Sequence, residues 1–257
     1  MDRWDGGSDY DVFMGRWSRA VASDFVGRLA VGRGLRWLDV GCGTGALTEA
    51  IVSATEPAAV AGVDPSPYFI AEARQRFDGR VDLQVADGGD LPFPDGVFDV
   101  VVSGLALNFI PDPVRALREW KRVAEPGGLV GVYVWDYTEG MEFLRIFWDA
   151  VVEVDESARD LDEGRRFPIC RSDELFNTFS DAGLSNITSS SIEIATCFGS
   201  FDDYWNPFLS GQGPAPTYVA GLSQGDREDL RQRLRTKLAP DGAIDLTARA
   251  WVAAGST

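Results

Sequence analysis

Three short stretches of this chain carry residues able to do chemistry on a ligand. Leu38-Asp39-Val40-Gly41-Cys42-Gly43-Thr44-Gly45 places a glycine-rich turn directly after an apolar run, and Val63-Asp64-Pro65-Ser66 and Val85-Ala86-Asp87-Gly88 each close a further apolar run on an aspartate. Glycines in such a turn let a ligand approach bare backbone with no Cβ in the way. The turn alone leaves two readings open, because Gly41-x-Gly43-x-x-Ala46 also fits the dinucleotide fingerprint and Asp64 stands near the spacing of its ribose acid. Three features separate them. Asp39, two residues before the first glycine, suits a cationic amino group better than a pyrophosphate. Asp87, at the end of the third run, is placed to accept from the exocyclic amine of adenine. No Tyr-x-x-x-Lys pair and no histidine is present to move a proton in a hydride transfer.

The lack of histidine excludes more than that. Imidazole is the usual general base near neutral pH and the commonest metal ligand, so serine-histidine triads, cysteine-histidine dyads and histidine metal sites are ruled out. Cys42, Cys170 and Cys197 stand far apart with no CxxC pair, which argues for reduced thiols and against a zinc site, and no metal is expected. With 40 acidic against 24 basic residues the net charge is -16, so phosphate backbones and anionic lipid are repelled and neither nucleic acid nor membrane is an expected partner. No window reaches the roughly 18 to 20 apolar residues of a membrane span, and the opening Met1-Asp2-Arg3-Trp4-Asp5 lacks the order of a signal peptide. A soluble, cytoplasmic protein is expected.

The elements that must hold these residues follow from periodicity. Between Leu35 and Val134 short β-branched runs alternate with amphipathic stretches, the pattern of βαβ units on a parallel sheet. Strands are predicted at Arg36–Val40, Ala58–Asp64, Val81–Ala86, Phe98–Ser103 and Leu129–Trp135. Helices are predicted from near Thr44, Pro67 and Asp112, the last with Asp112 as cap and Pro113 at its first position, stopping at Glu125-Pro126-Gly127-Gly128. Val21, Phe25 and Leu29 mark a helix ahead of the first strand. Later strands are expected at Ser189–Ala195 and Ala243–Trp251, with aromatic insertions over about 137–170 and 198–222 covering an edge of the sheet. Leu230, Leu234 and Leu238 make one stripe of a helix whose other stripe, Arg227, Arg231 and Arg235, is expected to be solvated. The chain of 257 residues reads as one domain: an arm and helix over 1–34, a core over 35–135, and last strands plus cap over 136–257.

In the order and spacing of these motifs the sequence resembles the class I S-adenosylmethionine-dependent methyltransferases, nearest the small-molecule group (methyltransferase type 11) that includes the quinone-biosynthesis C-methylating enzymes. The matching stretches are Leu38–Gly45, Val63–Ser66, Ala86-Asp87, Leu91–Asp95 with Phe98–Ser103, and Arg122–Gly128. The resemblance implies an α/β, Rossmann-like, seven-stranded and mostly parallel sheet of order 3-2-1-4-5-7-6, with helices on both faces. It implies S-adenosyl-L-methionine as cofactor and methyl transfer to a small acceptor. Asp39, Gly41, Cys42, Gly43 and Gly45 would then hold the methionine end, Asp64 both ribose hydroxyls, and Asp87 the adenine amine, with the backbone of Ala86 and Gly88. Pro65 and Ser66 would flank the adenosine, and Ser103, Gly104 and Leu105 the sulfonium. In related enzymes the opening arm closes over the cofactor, which makes Arg16, Trp17 and Arg19 candidates, an arginine pairing with the methionine carboxylate.

One departure bears on mechanism. Members of this group often carry a histidine after the fourth strand, where this chain has Leu105-Ala106-Leu107-Asn108-Phe109. Asn108 can hydrogen-bond but takes no proton, which leaves Asp136, Tyr137, Asp202, Asp203 or water to receive one. Aromatic side chains crowd the two insertions, Trp135, Tyr137, Phe143, Phe147, Trp148 and Phe167 in one and Phe198, Phe201, Tyr204, Trp205, Phe208 and Tyr218 in the other. Such walls imply an apolar or aromatic acceptor. The competing readings are a protein that binds S-adenosylmethionine or S-adenosylhomocysteine without catalysis and a NAD(P)-dependent oxidoreductase.

Overall fold

Five β-branched runs become the strands β1 (Arg36–Val40), β2 (Ala59–Asp64), β3 (Asp82–Val85), β4 (Phe98–Gly104) and β5 (Ala124–Trp135). With β6 (Ser185–Phe198) and β7 (Ile244–Ser256) they make a seven-stranded sheet in the order β3-β2-β1-β4-β5-β7-β6, as expected. The computed structural model describes residues 15–210, 213–238 and 242–257. Strand β1 pairs in parallel with β2 and β4, β2 with β3, and β4 with β5. The last strand is antiparallel to β5: the Asp136 amide donates to the Arg249 carbonyl and the Thr257 amide to that of Gly128. Consecutive Val100, Val101 and Val102 are all buried, which is why β4 reads as an unbroken apolar run: both faces of a parallel sheet are covered.

The helices start where the cap chemistry puts them. In α1 (Arg16–Leu29) Val21 and Phe25 are buried, Phe25 against the Tyr133 ring at 4.8 Å. Helix α2 (Ala46–Ala54) begins two residues later than expected, because Gly43 and Gly45 hold left-handed conformations that a helix cannot include. Ser66 caps α3 (Pro67–Phe77) by accepting from the Phe69 amide, and Asp112 caps α4 (Pro113–Val123) by accepting from that of Arg115. Strand β5 starts five residues early. Its pairing moves from Phe98 opposite Ala124 to Val100 opposite Leu129, so Glu125–Gly128 form a bulge inside the strand. Strand β6 is longer than expected, as a run of exposed serine and threonine gave little apolar alternation to read.

The chain divides into two compact units. One comprises Ser18–Val134, Ile169–Ile192 and Ala250–Thr257, including α7 (Ser172–Asp181). The other comprises, among the described residues, residues 15–17, Trp135–Pro168 and those within Glu193–Arg249. It holds α5 (Glu142–Val152), α6 (Glu163–Arg166), α8 (Phe201–Trp205), α9 (Pro214–Gly221) and α10 (Gln224–Leu238). Its core is aromatic. Phe147 stacks on Phe208 at 4.4 Å, Trp17 meets Phe143 and Phe198, and the buried Tyr204 hydroxyl donates to the Phe143 carbonyl at 2.9 Å. Most of the rings expected to wall an acceptor cavity are therefore one another's packing, with Phe167 and Tyr218 only part-buried. The arginine stripe of α10 is also not simply solvated. Arg231 and Arg235 lie over the Phe201 ring, and the Arg227 Nε is buried. Among the described residues no helix is long and apolar enough to cross a membrane.

Candidate active site

The strand order reverses between β1 and β4, and in an open parallel sheet the crevice outside the carboxyl ends of the strands at such a point is where ligands bind. Four connections converge there. After β1, the amides of Gly41 and Cys42 both donate to the Val63 carbonyl of β2. The Gly43 amide donates to Asp64 at 3.0 Å and the Ser66 amide to its other oxygen at 2.8 Å, so one carboxylate ties the first two turns together. Each oxygen has received one backbone donor and keeps a lone pair for another. Burial raises the pKa of Asp64, and these two hydrogen bonds oppose it.

The glycines of the turn do different jobs. A Cβ on Gly41 would stand 2.4 Å from that of Ala106, and one on Gly45 would stand 2.4 Å from the Phe77 ring, so these two close the turn against the protein itself. Gly43 differs: its φ is +52°, and a Cβ there would meet nothing within 4 Å among the described residues. The open space of the turn is at Gly43.

Asp39 is fully buried at the end of β1. One oxygen accepts from the Thr48 hydroxyl at 2.6 Å and the other has no partner. Burial pushes its pKa up to about 7, against the Thr48 hydrogen bond, and the nearby Asp64 charge adds to the rise. Thr48 gave no sign of this role in the sequence, since a threonine inside an amphipathic helix is commonplace. Cys42 contributes backbone only. Its buried thiol, pushed well up by burial, packs over Gly62.

Past β3, the Ala86 amide donates to the Asp64 carbonyl, and the exposed Asp87 accepts from the Gly89 amide at 2.7 Å. Gly88 lies against Ile110 and Val40, and its carbonyl accepts from the Trp120 indole. Past β4, Ser103 is buried with its hydroxyl unpartnered, and Gly104 lies directly under the Tyr133 hydroxyl, where a Cβ would clash at 2.4 Å. Leu105 has φ +60°, a conformation that costs a branched side chain on the order of 1–3 kcal/mol, and its amide is fastened to the Tyr133 carbonyl. Asn108 sits in a single turn, Leu107–Phe109, with its Nδ2 buried and unpartnered. Pro65 is exposed, and Ser66 is committed to its cap.

The surroundings of the other expected site residues are as follows. Trp17 is buried among Phe143 and Phe198, as a core residue of the aromatic unit. Arg19 is an exposed residue of α1. Residues 1–14 of the arm and the Arg16 side chain lie outside the described residues. Asp136 is held from both sides: the Thr138 and Glu139 amides donate to one oxygen and the Arg249 guanidinium to the other, at 2.8 and 2.6 Å. Tyr137 is buried beside Phe167, Asp202 is paired with Arg231, and Asp203 accepts from the Gly199 amide.

Residues 38–132 match the model of a family described as "Methyltransferase domain". That segment is similar to methyltransferase domains. It contains every strand-end turn from Asp39 to Asn108. Over 123 residues the chain is 35% identical to a 2-methyl-6-phytyl-1,4-hydroquinone methyltransferase 2 of Oryza sativa, covering 47% of this chain and 35% of that protein. Over 103 residues it is 38% identical to a demethylmenaquinone methyltransferase of Bacillus licheniformis, covering 39% of this chain and 44% of that one. The matched stretch thus spans less than half the length of either relative. In fold the whole chain is similar to phosphoethanolamine N-methyltransferase 2 of Haemonchus contortus, solved with S-adenosyl-L-methionine (TM-score 0.61, 20% identity, 97% of this chain and 56% of that one). It is also similar to the [4+2]-cyclase SpnF (TM-score 0.58, 21% identity, 92% and 80%). The matched segment contains the strand-end turns, and the aromatic unit lies outside it.

Proposed function

We propose that the methyltransferase domain binds S-adenosylmethionine in its strand-end crevice and that the protein transfers the methyl group to a small apolar or aromatic acceptor. The observation that carries this reading is the pair of buried carboxylates at the turn, Asp39 and Asp64, neither paired with a basic side chain among the described residues. A ligand bearing ammonium and sulfonium charges offsets them, whereas a pyrophosphate adds negative charge to a buried negative site. The unpartnered Asp39 oxygen, Ser103 hydroxyl and Asn108 amide fit a polar ligand at the same rim.

In this reading the Gly41–Gly45 turn receives the methionine end, and the Asp39 charge favours its ammonium. Asp64 takes the ribose hydroxyls on its remaining lone pairs, and Asp87 the adenine amine beside the backbone of Ala86 and Gly88. Ser103, Gly104 and Leu105 border the sulfur. When bound, the cofactor supplies an electrophilic methyl on a sulfonium. The chain's own part is to orient and to exclude water, and effective molarities for such positioning correspond to about 7–11 kcal/mol of barrier. Asn108 donates to an acceptor oxygen. With no histidine and with Asp136 engaged, the acceptor's proton leaves to solvent or is lost before binding. The names of the two relatives give a hydroquinone and a demethylmenaquinone as substrates, which supports an aromatic acceptor. The net charge of -16 supports a soluble, cytoplasmic enzyme without a nucleic-acid partner.

Calorimetry with S-adenosylhomocysteine and NAD tests the cofactor: the first is expected to bind, and tighter binding of NAD would sink the reading. Turnover across acceptors of graded pKa tests the chemistry, with the inflection of the pH–rate profile expected to move with the acceptor. Binding without turnover of any acceptor would favour a non-catalytic binding protein.

A further inference from the structure

The helical threonines Thr178 of α7 and Thr236 of α10 each donate the hydroxyl proton back to the carbonyl four residues earlier, those of Glu174 and Gln232, a common outlet for a threonine in a helix. Thr48 of α2 does otherwise. Its proton goes across to the Asp39 carboxyl of β1 at 2.6 Å, and both residues are fully closed to solvent. A hydroxyl has one proton to give, so the choice is exclusive. Two roles are open to such a pair. It can fasten α2 to β1, in which case the state of the Asp39 carboxyl is immaterial, or it can hold that carboxyl ionised, because a donor to the charged form favours the charge that burial opposes.

The surroundings favour the second role. The other Asp39 oxygen has no partner, no basic side chain pairs with Asp39 among the described residues, and the Thr48 side chain is the largest influence working against burial. The titratable groups on the neighbouring elements give no help. Asp64 at the end of β2 adds its own negative charge, and the buried Cys42 thiol is neutral. Glu49 of α2 is paired with Arg76, and Asp99 of β4 with Arg36 at the opposite end of β1. Ionisation of Asp39 therefore leans on one hydroxyl. Its effect on a ligand needs no contact, since a charge in a low-dielectric interior is felt well beyond its nearest neighbours, and the Gly41–Gly45 turn begins two residues further on.

We propose that Thr48 is a positioning residue for the cofactor: by donating to one Asp39 oxygen it fixes the carboxylate and keeps a negative charge beside the first turn, where the ammonium of the methionine end is received. Thr48 acts through Asp39 alone, and the inference rests on the cofactor reading given above. Calorimetric titration of the full chain with S-adenosylhomocysteine, from about pH 6 to about pH 8.5, tests it. With Asp39 raised to about 7 in the free protein, native affinity should rise through neutral pH and then level off. Thr48→Val keeps the shape and removes the donor. Its inflection should move up by about one pH unit, the scale of one hydrogen bond to a carboxylate, with affinity about fivefold weaker at pH 7 and within about twofold of native at pH 8.5. Thr48→Ser should restore the native curve, and Asp39→Asn should lose the inflection. A pair that only fastens α2 to β1 would lower stability in Thr48→Val and leave the inflection in place, which would overturn the inference, as would a native inflection in Asp39→Asn or a Thr48→Ser curve like that of Thr48→Val. Should Thr48→Val not fold, Thr48→Ala reads the same shift. No binding to the native chain at any pH would overturn the cofactor reading and this inference with it, whereas binding with an unmoved inflection overturns this inference alone.

Discussion

At the strand ends Asp39 keeps one oxygen without a donor, and Ser103 and Asn108 are buried with polar atoms unused. In the aromatic unit the acids are engaged. Asp136 takes four N–H donors, Asp162 is held by Arg145, Glu163 accepts from the Trp148 indole, and Asp202 is paired with Arg231. Buried polar groups are ordinarily satisfied within the fold, so a cluster that is not marks a place where something else completes it. One region leaves a buried carboxylate oxygen unused at its strand ends, and the other engages its buried carboxylates, while its unpartnered buried atoms are those of Trp135, Arg145, Thr196 and Arg227.

The largest effect that would sharpen this contrast is on stability. Phe208→Ala removes a ring stacked on Phe147 and touching Phe143 and Tyr204, and should cost about 3–5 kcal/mol of unfolding free energy in denaturant titrations. The folded fraction should keep its affinity for S-adenosylhomocysteine, and a matching loss of affinity would break the contrast. Next, Asp64→Ala should weaken S-adenosylhomocysteine by about 1.5–3 kcal/mol in calorimetry, the range for a hydrogen bond to a charged group. Unaltered affinity in a folded variant would remove the ribose assignment.

A smaller effect separates two buried acids. Burial raises both Asp39 and Glu163 to about 7, above their unfolded values, so the native state holds extra protons between about pH 4 and pH 7. Stability should therefore fall as pH rises through that window, by at most about 1.4 kcal/mol per pH unit for each group, and level off above it. Asp39→Asn and Glu163→Gln should each flatten part of the slope. S-adenosylhomocysteine should flatten the Asp39 part alone, since its ammonium favours the carboxylate. Denaturation at several pH values with and without ligand reads this, and a ligand effect that survives in Asp39→Asn would refute the assignment. Smallest is Ser103→Ala, expected to leave the free protein as stable or slightly more so while weakening the ligand by about 0.5–1 kcal/mol.

How much could be read ahead of the structure follows the same division. The turns of β1 to β4 are sequence-local: an aspartate, a glycine and a strand end stand within a few residues of each other, so Asp39, Gly43, Asp64 and Asp87 could be placed by spacing alone. The aromatic unit is joined across long separations, Tyr204 to Phe143 and Asp136 to an arginine 113 residues further on, and no local pattern announces such pairs. Asp136 looked like a base because an acid after a strand end is how Asp39 and Asp64 also look. Only Arg249 tells them apart. Thr48 was missed for the converse reason, a side chain whose role exists only once helix α2 lies beside β1.

The three glycines of the first turn carry different risks for a lineage that changes them. At Gly41 and Gly45 any side chain strikes Ala106 or Phe77, so a variant there misfolds and is cleared by the cell's proteases. At Gly43 the space is open and the backbone angle is one that asparagine tolerates. A Gly43→Asn chain would fold, accumulate to normal levels and fill the space where the proposed cofactor would approach the turn. Inactivity from that change would escape cellular surveillance, which inspects folding and not chemistry.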